Sequence, residues 1–138
     1  MQGASRDSLG RLTDRLPTAG DLRELSDNLF AVVTMLGGQP SLRRALSDPA
    51  ATGTAKVHVV DSLLASRVGE TALQLVREAV RSRWSQPRHL VDALEELAVD
   101  AALITAQTAG ALDAVEDELF RFERIVDGEP TLRDALTN

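Results

Sequence analysis

Apolar side chains recur every three or four residues along almost the whole chain, which is the spacing that places them on one face of an α-helix. Glycine and proline interrupt this pattern at several points and divide it into separate helical segments. The pattern therefore predicts an all-α fold without a β-sheet. We expect seven helices, at about residues 5–16, 21–37, 41–48, 54–66, 70–83, 87–109 and 112–127.

Residues near the ends of these segments favour particular helix starts and stops. Ser5 and Ser41 stand where an N-cap is expected, and Asp21 with Glu24 has the spacing of a capping box. Gly110 lies inside the longest helical pattern, and a glycine there costs about 1 kcal/mol relative to alanine. We therefore expect a break or a kink at Gly110, which would separate the sixth helix from the seventh.

The inner faces of the first six helices are predicted to form one hydrophobic core, within a compact domain at about residues 5–107. Burying such faces is favourable because each Å² of apolar surface removed from water contributes roughly 25 cal/mol. The expected core residues are Leu29, Val33, Val60, Leu73, Val76, Leu94 and Leu97.

The sequence repeats an eleven-residue phrase, GQPSLRRALSD at residues 38–48 and GEPTLRDALTN at residues 128–138. Extended backwards without a gap, residues 27–48 align with residues 117–138, and nine of the 22 aligned pairs are identical. Unrelated segments of ordinary composition would share about one or two identical pairs. Self-similarity at a fixed distance is typical of a duplicated structural unit, so we expect a second copy of the bundle to begin here.

The ninety-residue offset between the two phrases also predicts how the copies are joined. Shifted by this offset, the first predicted helix falls on residues 95–106, inside the sixth helix. Two bundles would then share one long helix. The predicted organisation is a six-helix bundle at residues 1–109, followed by the first helices of a second, incomplete copy at residues 110–138. We interpret the chain as a piece of a longer protein; the alternative is that a vestige of a repeat serves as its C-terminal cap.

Composition narrows the classes of function. The chain has 138 residues, of which 43% are hydrophobic, enough for one domain with one core. It has no cysteine, which excludes disulfides and thiolate metal sites. Its apolar runs are far shorter than a membrane span needs, so we expect a soluble piece without a signal peptide. A net charge of -6 opposes nonspecific binding to nucleic acid.

Candidate catalytic groups are few. His58 precedes Asp61, and His89 precedes Asp92, each by three residues, which makes them neighbours on a helix. A catalytic base also needs a nucleophile and a pocket, and the sequence indicates neither, so we interpret both as surface pairs. Motifs for metal, phosphate or dinucleotide binding are absent from the sequence. We predict no catalytic residue, no metal site and no cofactor.

Charge is distributed unevenly. Residues 113–129 carry a formal charge of -5, whereas the stretch RSRWSQPRHL at residues 81–90 is basic and contains Trp84, the only tryptophan. Arginine and tryptophan are enriched at protein interfaces, so this stretch is a candidate recognition edge. The alternative interpretation is that the Trp84 indole closes one end of the bundle while the arginines stay in water.

Several of these segments resemble one protein family. PSLRRALSDPA at residues 40–50, AK at 55–56, LL at 63–64 and LVREAVRSRWSQPRHLVDALEELA at 75–98 are similar to the N-terminal domain of the delta subunit of F-type ATP synthases, the homologue of the mitochondrial oligomycin-sensitivity-conferring protein. VEDELFRFERIVDGEPTLRDALTN at residues 115–138 resembles the actinobacterial form, which has an inserted second copy of the bundle. The resemblance covers essentially all 138 residues.

The resemblance implies a noncatalytic connector in the peripheral stalk, at the cytoplasmic face of the cell membrane. In the family, a six-helix bundle sits on the catalytic head and holds the N-terminal helix of an alpha subunit between its first and fifth helices. A separate C-terminal region, absent here, binds the b subunits. Carried over by position, the groove residues are Arg6, Leu9, Gly10, Thr13, Ala72, Leu75, Val76, Ala79 and Arg83. The tyrosine common in the first helix of the family is missing, with Ser8 and Leu9 in its place.

The residue types of this groove also suit a bound helix on physical grounds. Gly10, Ala72 and Ala79 are small enough for close approach, and Arg83 supplies charge at the rim. We expect that a bulky residue at Gly10, or tryptophan at Ala79, blocks the groove without unfolding the domain. The alternative is that these residues make ordinary contacts within the bundle.

Two other classes of function compete with a connector. An RNA-binding helical bundle of the antitermination-factor type has a similar fold and would use VRSRW at residues 80–84 as an edge that contacts phosphates. The acidic total and the single lysine count against it, so nucleic acid is not an expected partner. A small hydrolase built on His58 or His89 rests only on the presence of histidine.

The second copy begins with apolar residues that nothing downstream in this chain covers, among them Leu119, Val126, Leu132 and Leu136. Apolar stripes of that size rarely stay in water. We therefore expect residues 112–138 to fold back on the first bundle or to form a weak homodimer. Their negative charge opposes self-pairing, so added salt should strengthen such a dimer.

Overall fold

A computed structural model describes residues 1–128 of the chain, with the side chains of residues 1–125. This part contains six helices and no strand, which confirms the predicted all-α class. The helices are α1 (Gly3–Thr13), α2 (Arg23–Gly37), α3 (Pro40–Ser47), α4 (Gly53–Leu64), α5 (Glu70–Arg81) and α6 (Pro87–Gly128).

The first half of α6 is the central element of the bundle. It packs against α1, α2, α3 and α5, most extensively against α2, while α4 packs against α5. Its inner face alternates large and small residues, and this allows neighbouring helices to approach closely. The side chains on that face are 0% exposed and comprise Leu90, Ala93, Leu94, Leu97, Ala98 and Ala101.

The predicted core is confirmed at every position except Val33. Leu29, Leu94 and Leu97 are 0% exposed, but Val33 is only partly buried and Val32 occupies the core in its place. The buried residues of α2 follow the 3.6-residue helical period, and this period places Val32, not Val33, on the inner face. A one-residue shift turns a side chain by about 100° around the helix axis.

Several predicted caps are wrong. α1 begins at Gly3, so Ser5 lies inside the helix and is 0% exposed. α3 begins at Pro40, whose missing N–H costs nothing in the first turn, so Ser41 is not its cap. Thr52 is an N-cap that was not predicted from the sequence. Its Oγ1 accepts a hydrogen bond from the Ala55 N–H at 3.1 Å, at the start of α4.

The start of α2 is fixed by hydrogen bonds that the sequence did not predict. In place of a capping box with Glu24, the Asp21 carboxylate accepts from the Arg23 backbone N–H at 3.1 Å and from the Arg23 guanidinium. The Leu22 N–H donates to Thr105 Oγ1 on α6 at 2.7 Å. The turn that leads into α2 is therefore attached to α6 by a side-chain acceptor.

A second pair of contacts holds α2 in register with α6. Ser26 Oγ is buried and donates to the Ala98 carbonyl oxygen at 2.8 Å. The Gly20 N–H donates to Thr108 Oγ1 at 2.9 Å, and Gly20 has a positive φ of 127°, which side chains disfavour. Since buried polar groups must be paired, these bonds favour one position of α2 along α6.

The predicted break at Gly110 is wrong, because α6 continues through it as one helix from Pro87 to Gly128. The residues on both sides are mostly good helix formers, and adding residues to an existing helix is favourable, so the cost of one glycine is outweighed. The seventh predicted helix is the outer part of α6. A continuous helix is compatible with two bundles that share it. The predicted domain boundary between residues 109 and 110 stays a prediction.

Within residues 1–128, no helix combines the length and the apolar character that a membrane span needs. The second copy of the repeated phrase, after Gly128, lies outside the described residues.

Replacing Leu94 by alanine is expected to lower the free energy of unfolding by about 2 to 5 kcal/mol, because Leu94 is 0% exposed at the centre of the bundle. Leu103→Ala is the matched control on the same helix, since Leu103 is 54% exposed and should change stability by about 0.5 kcal/mol or less. Urea denaturation followed by circular dichroism measures both. Equal losses would contradict the central position of α6.

The pKa of the Asp21 carboxyl group should be about 2, because the side chain of Arg23 hydrogen-bonds to it. Arg23→Gln is expected to raise this pKa toward the ordinary value of 3.8. The folded pKa is depressed, so the contribution of this pair to stability is present above the ordinary pKa and is lost as pH falls toward the folded pKa. NMR titration of the carboxyl carbon tests this, and an unchanged midpoint in the variant would contradict the assignment.

Candidate functional site

The surface formed by α1 and α5 is the candidate site, and two contacts fix α1 against α5 and the segment that follows it. Ser8 Oγ donates to the Arg83 carbonyl oxygen at 2.7 Å, and Ser8 is 0% exposed. The Arg15 guanidinium lies 3.5 Å from the Glu78 carboxylate of α5. Ser8, in place of the aromatic residue expected from the family pattern, thus serves as an internal hydrogen-bond donor.

Ser5 makes a second internal connection, to the start of α6. Its Oγ accepts from the Ser85 N–H at 2.7 Å and lies 2.7 Å from His89 Nδ1. The structure shows that the interpretation of His89 as a surface partner of Asp92 is wrong, because His89 is only 9% exposed. The spacing of Ser5, Ser8 and Leu12 on one helical face was the sequence signal for this burial, since Leu12 marks the inner side of α1.

The other histidine remains on the surface, but its expected partner binds elsewhere. The Arg77 side chain donates to Asp61 at 2.7 Å, and this hydrogen bond raises the pKa of Arg77. His58 is exposed. Within the described part of the chain, no three His, Cys, Asp or Glu side chains are grouped to hold a metal ion.

The predicted groove residues separate into a buried set and an exposed set. The members from α5 face the core, with exposures of 1% for Ala72, 4% for Leu75, 1% for Val76 and 0% for Ala79. The remaining members are Arg6, Gly10, Thr13 and Arg83, which are exposed, and Leu9, which is partly buried. A partner resting on this surface would therefore touch α1 and the end of α5 before it reached the other α5 residues.

The two flanks of α1 have different neighbours. Arg15, two residues after the end of α1, lies towards α5 through its ion pair with Glu78. Thr13 instead lines a shallow depression with Leu103 and Ile104 of α6. The structure buries the α5 members in the core of the bundle and places Thr13 beside α6.

The sequence was compared with known proteins. No family model matches it. It is 51% identical over 146 aligned positions to ATP synthase subunit delta of Acidothermus cellulolyticus, an alignment that covers 100% of this chain and 53% of that protein. For subunit delta of Streptomyces coelicolor the identity is 50%, with 100% and 52% covered, and for Streptomyces avermitilis it is 53%, with 98% and 49% covered.

Over its whole length the chain is homologous to proteins named ATP synthase subunit delta. It spans about half the length of the curated relatives that it matches. The resemblance inferred from the sequence motifs is therefore confirmed, and most of the similar proteins are from actinobacteria.

The basic stretch at residues 81–90 is part of the bundle end. Trp84 is 7% exposed, and its indole N–H donates to the Ala79 carbonyl oxygen at 2.7 Å. The interpretation that Trp84 closes the bundle is confirmed. Arg81 pairs with Glu78 at 3.2 Å, so the charge of this stretch is partly compensated within α5.

Replacing Ser8 by alanine is expected to lower the free energy of unfolding by about 1 to 3 kcal/mol, because the Arg83 carbonyl loses its buried donor. Ser62→Ala is the matched control, since Ser62 is exposed and bonds only to the His58 carbonyl of its own helix. Its effect should be within about 0.5 kcal/mol. Thermal or urea denaturation measures both variants. An effect of Ser8→Ala no larger than the control would show that this bond does not hold α1 in place.

Proposed function

We propose that this chain is a noncatalytic connector of the peripheral stalk in an F-type ATP synthase, and that its α1/α5 surface holds the N-terminal helix of an alpha subunit. The observation that carries the proposal is the identity of 50 to 53% with proteins named ATP synthase subunit delta, over 98 to 100% of this chain. The described bundle supports it, because Ser8 of α1 is bonded to Arg83 just after α5, Ser5 is bonded to Ser85, and Arg15 just after α1 pairs with Glu78 of α5.

On this proposal, the exposed residues Arg6, Gly10, Thr13 and Arg83, with the half-buried Leu9, form the contact surface. Gly10 is the point of closest approach. A Cβ atom built at Gly10 meets nothing within 4 Å, so the surface above it is open. A partner helix can lie against the backbone there, as in other complexes in which a helix occupies a groove.

The buried α5 residues have a supporting role in this proposal. Ala72, Val76 and Ala79 pack the inner side of α5 at exposures of 0 to 1% and fix its distance from the rest of the bundle. Leu75 at 4% is the most accessible of the predicted α5 set. A bound helix gains affinity from a preformed surface, because less side-chain and backbone freedom is lost on binding.

The remaining assembly follows from the same role. The chain would be a peripheral component at the cytoplasmic face of the membrane, and the b subunits would bind a region of the longer delta subunit that this chain does not contain. The RNA-binding alternative is not favoured, because Trp84, the aromatic residue of its expected edge, is 7% exposed and bonded within the bundle.

The direct test is binding of a synthetic peptide with the sequence of the alpha-subunit N-terminus from Streptomyces coelicolor. We expect the peptide to become helical in the presence of the chain, followed by circular dichroism, and to change the fluorescence of Trp84 near the end of α5. Gly10→Trp should weaken binding at least tenfold, because its indole would occupy the open surface.

Gly110→Trp is the matched control, because Gly110 is also a helical glycine with nothing within 4 Å of an added Cβ. Ala79→Trp is a poorer test than Gly10→Trp, since Ala79 is 0% exposed and tryptophan would overfill the core. If both glycine variants stay folded and bind the peptide as well as the original chain, the alpha-subunit helix does not dock here.

A further inference from the structure

The inner face of α1 is largely polar. Its buried side chains are Ser5, Ser8 and Leu12, so this helix of 11 residues fully buries one apolar side chain. Leu9 is partly buried, and Leu16 is buried just after the helix. By contrast, α5, with 12 residues, buries six apolar side chains. Because apolar burial is the main favourable contribution to packing, α1 is attached to the bundle less strongly than α5.

The hydrogen bonds that hold α1 join groups that water can also satisfy. Ser8 Oγ donates to the Arg83 carbonyl oxygen, and the Ser85 N–H donates to Ser5 Oγ. Arg83 and Ser85 belong to the short segment between α5 and α6, so separation of α1 would open these groups to water. A hydrogen bond exchanged for one to water changes the free energy of folding little, whereas exposure of apolar surface is costly. Separation at this contact therefore costs less than separation at an apolar contact of the same size.

The ion pair just after α1 adds little to this attachment. The side chains of Arg15 and Glu78 lie 3.5 Å apart and are 57% and 30% exposed. Water and salt weaken the attraction between charges in such positions. Glu78 also pairs with Arg81 of its own helix at 3.2 Å, so its carboxylate keeps a partner when Arg15 moves away.

Once separated from the bundle, α1 is not expected to stay helical. A helix of 11 residues is short for independent stability, because isolated helices below about 12 to 15 residues are marginal in water. Its N-cap, Gln2, makes no side-chain hydrogen bond, and its first turn contains no acidic residue. Gly10 lies inside the helix and lowers its stability further. Separation and unfolding of α1 are therefore coupled, and its backbone N–H groups lose their hydrogen bonds together.

The outer side of α1 is uncovered within residues 1–128. Arg6 and Gly10 are exposed there. Residues 112–138 were expected to fold back on the bundle, but α6 continues without interruption to Gly128, with Leu112 and Leu119 60% and 58% exposed. The expected fold-back does not take place over residues 112–125, and the alternative of a weak homodimer stays a prediction. Over the described residues, α1 is thus held from its inner side.

We propose that α1 opens and closes as a separate unit while α2 to α6 stay folded, and that Ser5 and Ser8 are the residues that hold it closed. Proteins commonly open in such local units, and a helix with few buried apolar contacts is one of them. The closed state completes the α1/α5 surface, and the open state removes one wall of it. A helix bound there would stabilise the closed state, because a ligand that binds one state shifts the equilibrium towards it. This last step rests on the proposed function, whereas the opening itself does not.

Hydrogen exchange of single backbone amides, followed by NMR on the full 138-residue chain, measures the opening. Relative to their intrinsic rates, the amides of residues 8–12 should exchange at least about tenfold faster than those of Leu94 and Leu97 in the centre of α6. The Ser85 N–H lies outside α1 but donates to Ser5, so we expect it to exchange together with the amides of α1.

Two variants separate local opening from unfolding of the whole bundle. Ser8→Ala removes a contact that exists only in the closed state, so it should accelerate exchange of α1 and of Ser85 about fivefold or more. Val60→Ala is the control, because Val60 is 1% exposed in α4, which packs against α5 and stays folded in both states. It should accelerate exchange of Leu94 roughly tenfold but that of α1 less than about twofold. Val57→Ala, at a partly buried position of the same helix, is the milder control if Val60→Ala does not fold.

Three outcomes would overturn the proposal. One is equal protection of α1 and of the centre of α6, and another is an acceleration of α1 by Val60→Ala or Val57→Ala as large as that of Leu94. Either would show that α1 opens only when the whole bundle unfolds. The third is unchanged exchange of α1 in Ser8→Ala, which would remove Ser8 from the contacts that hold α1 closed.

The alpha-subunit peptide of Streptomyces coelicolor tests the link to the proposed function. Its addition should slow exchange of α1 and of Ser85 by a factor that increases with peptide concentration. If the free chain shows the expected opening and the peptide leaves it unchanged, docking at the α1/α5 surface fails while the opening of α1 stands. The two failures are therefore distinguishable.

Discussion

Burial of the inner face of α6 is the interaction on which the rest of the structure depends. Leu90, Leu94 and Leu97 are completely removed from water, and four other helices pack against this one segment. The alanines between them keep the neighbouring backbones close. Because the four contacts are made to one rigid helix, displacing it would open the core on several sides at once.

Hydroxyl groups give this apolar packing its specific geometry. Hydrophobic contact is nondirectional and tolerates sliding of one helix along another. Ser26 on α2 and Thr105 on α6 remove that freedom, and Ser5 and Ser8 do the same for α1. No buried side-chain nitrogen or oxygen among the described residues lacks a partner, so these bonds satisfy the polar groups that the bundle encloses.

The same arrangement gives the molecule two surfaces of different character. At α1 and α5 the apolar side chains of α5 are already used in the core, and the outer surface presents glycine, threonine and arginine beside a half-buried leucine. Along the outer part of α6, apolar side chains face water and glutamates border them. The two surfaces differ because the bundle already uses the apolar side chains of α5, whereas the outer part of α6 extends beyond the other described helices.

The sequence by itself determined the helical class, the family and nearly all of the core. Periodicity encodes which face of a helix is apolar, and that was sufficient for Leu29, Val60 and Leu94. It was not sufficient between two adjacent valines, where Val33 was expected in the core and the structure buries Val32. Motif spacing was sufficient for the resemblance to delta subunits, which depends on the order of residues along the chain.

Only the tertiary structure decided which polar residues are internal and how far α6 extends. Serine and histidine are compatible with both surface and interior, and the choice depends on whether a partner atom lies within hydrogen-bond distance, as it does for Ser8 and His89. Gly110 lowers the local stability of a helix, but the favourable extension of the long helix α6 outweighs this loss. The predicted groove also could not be decided from residue type. Small residues favour such a site, but the neighbouring helices determine that Ala79 is buried and Gly10 is exposed.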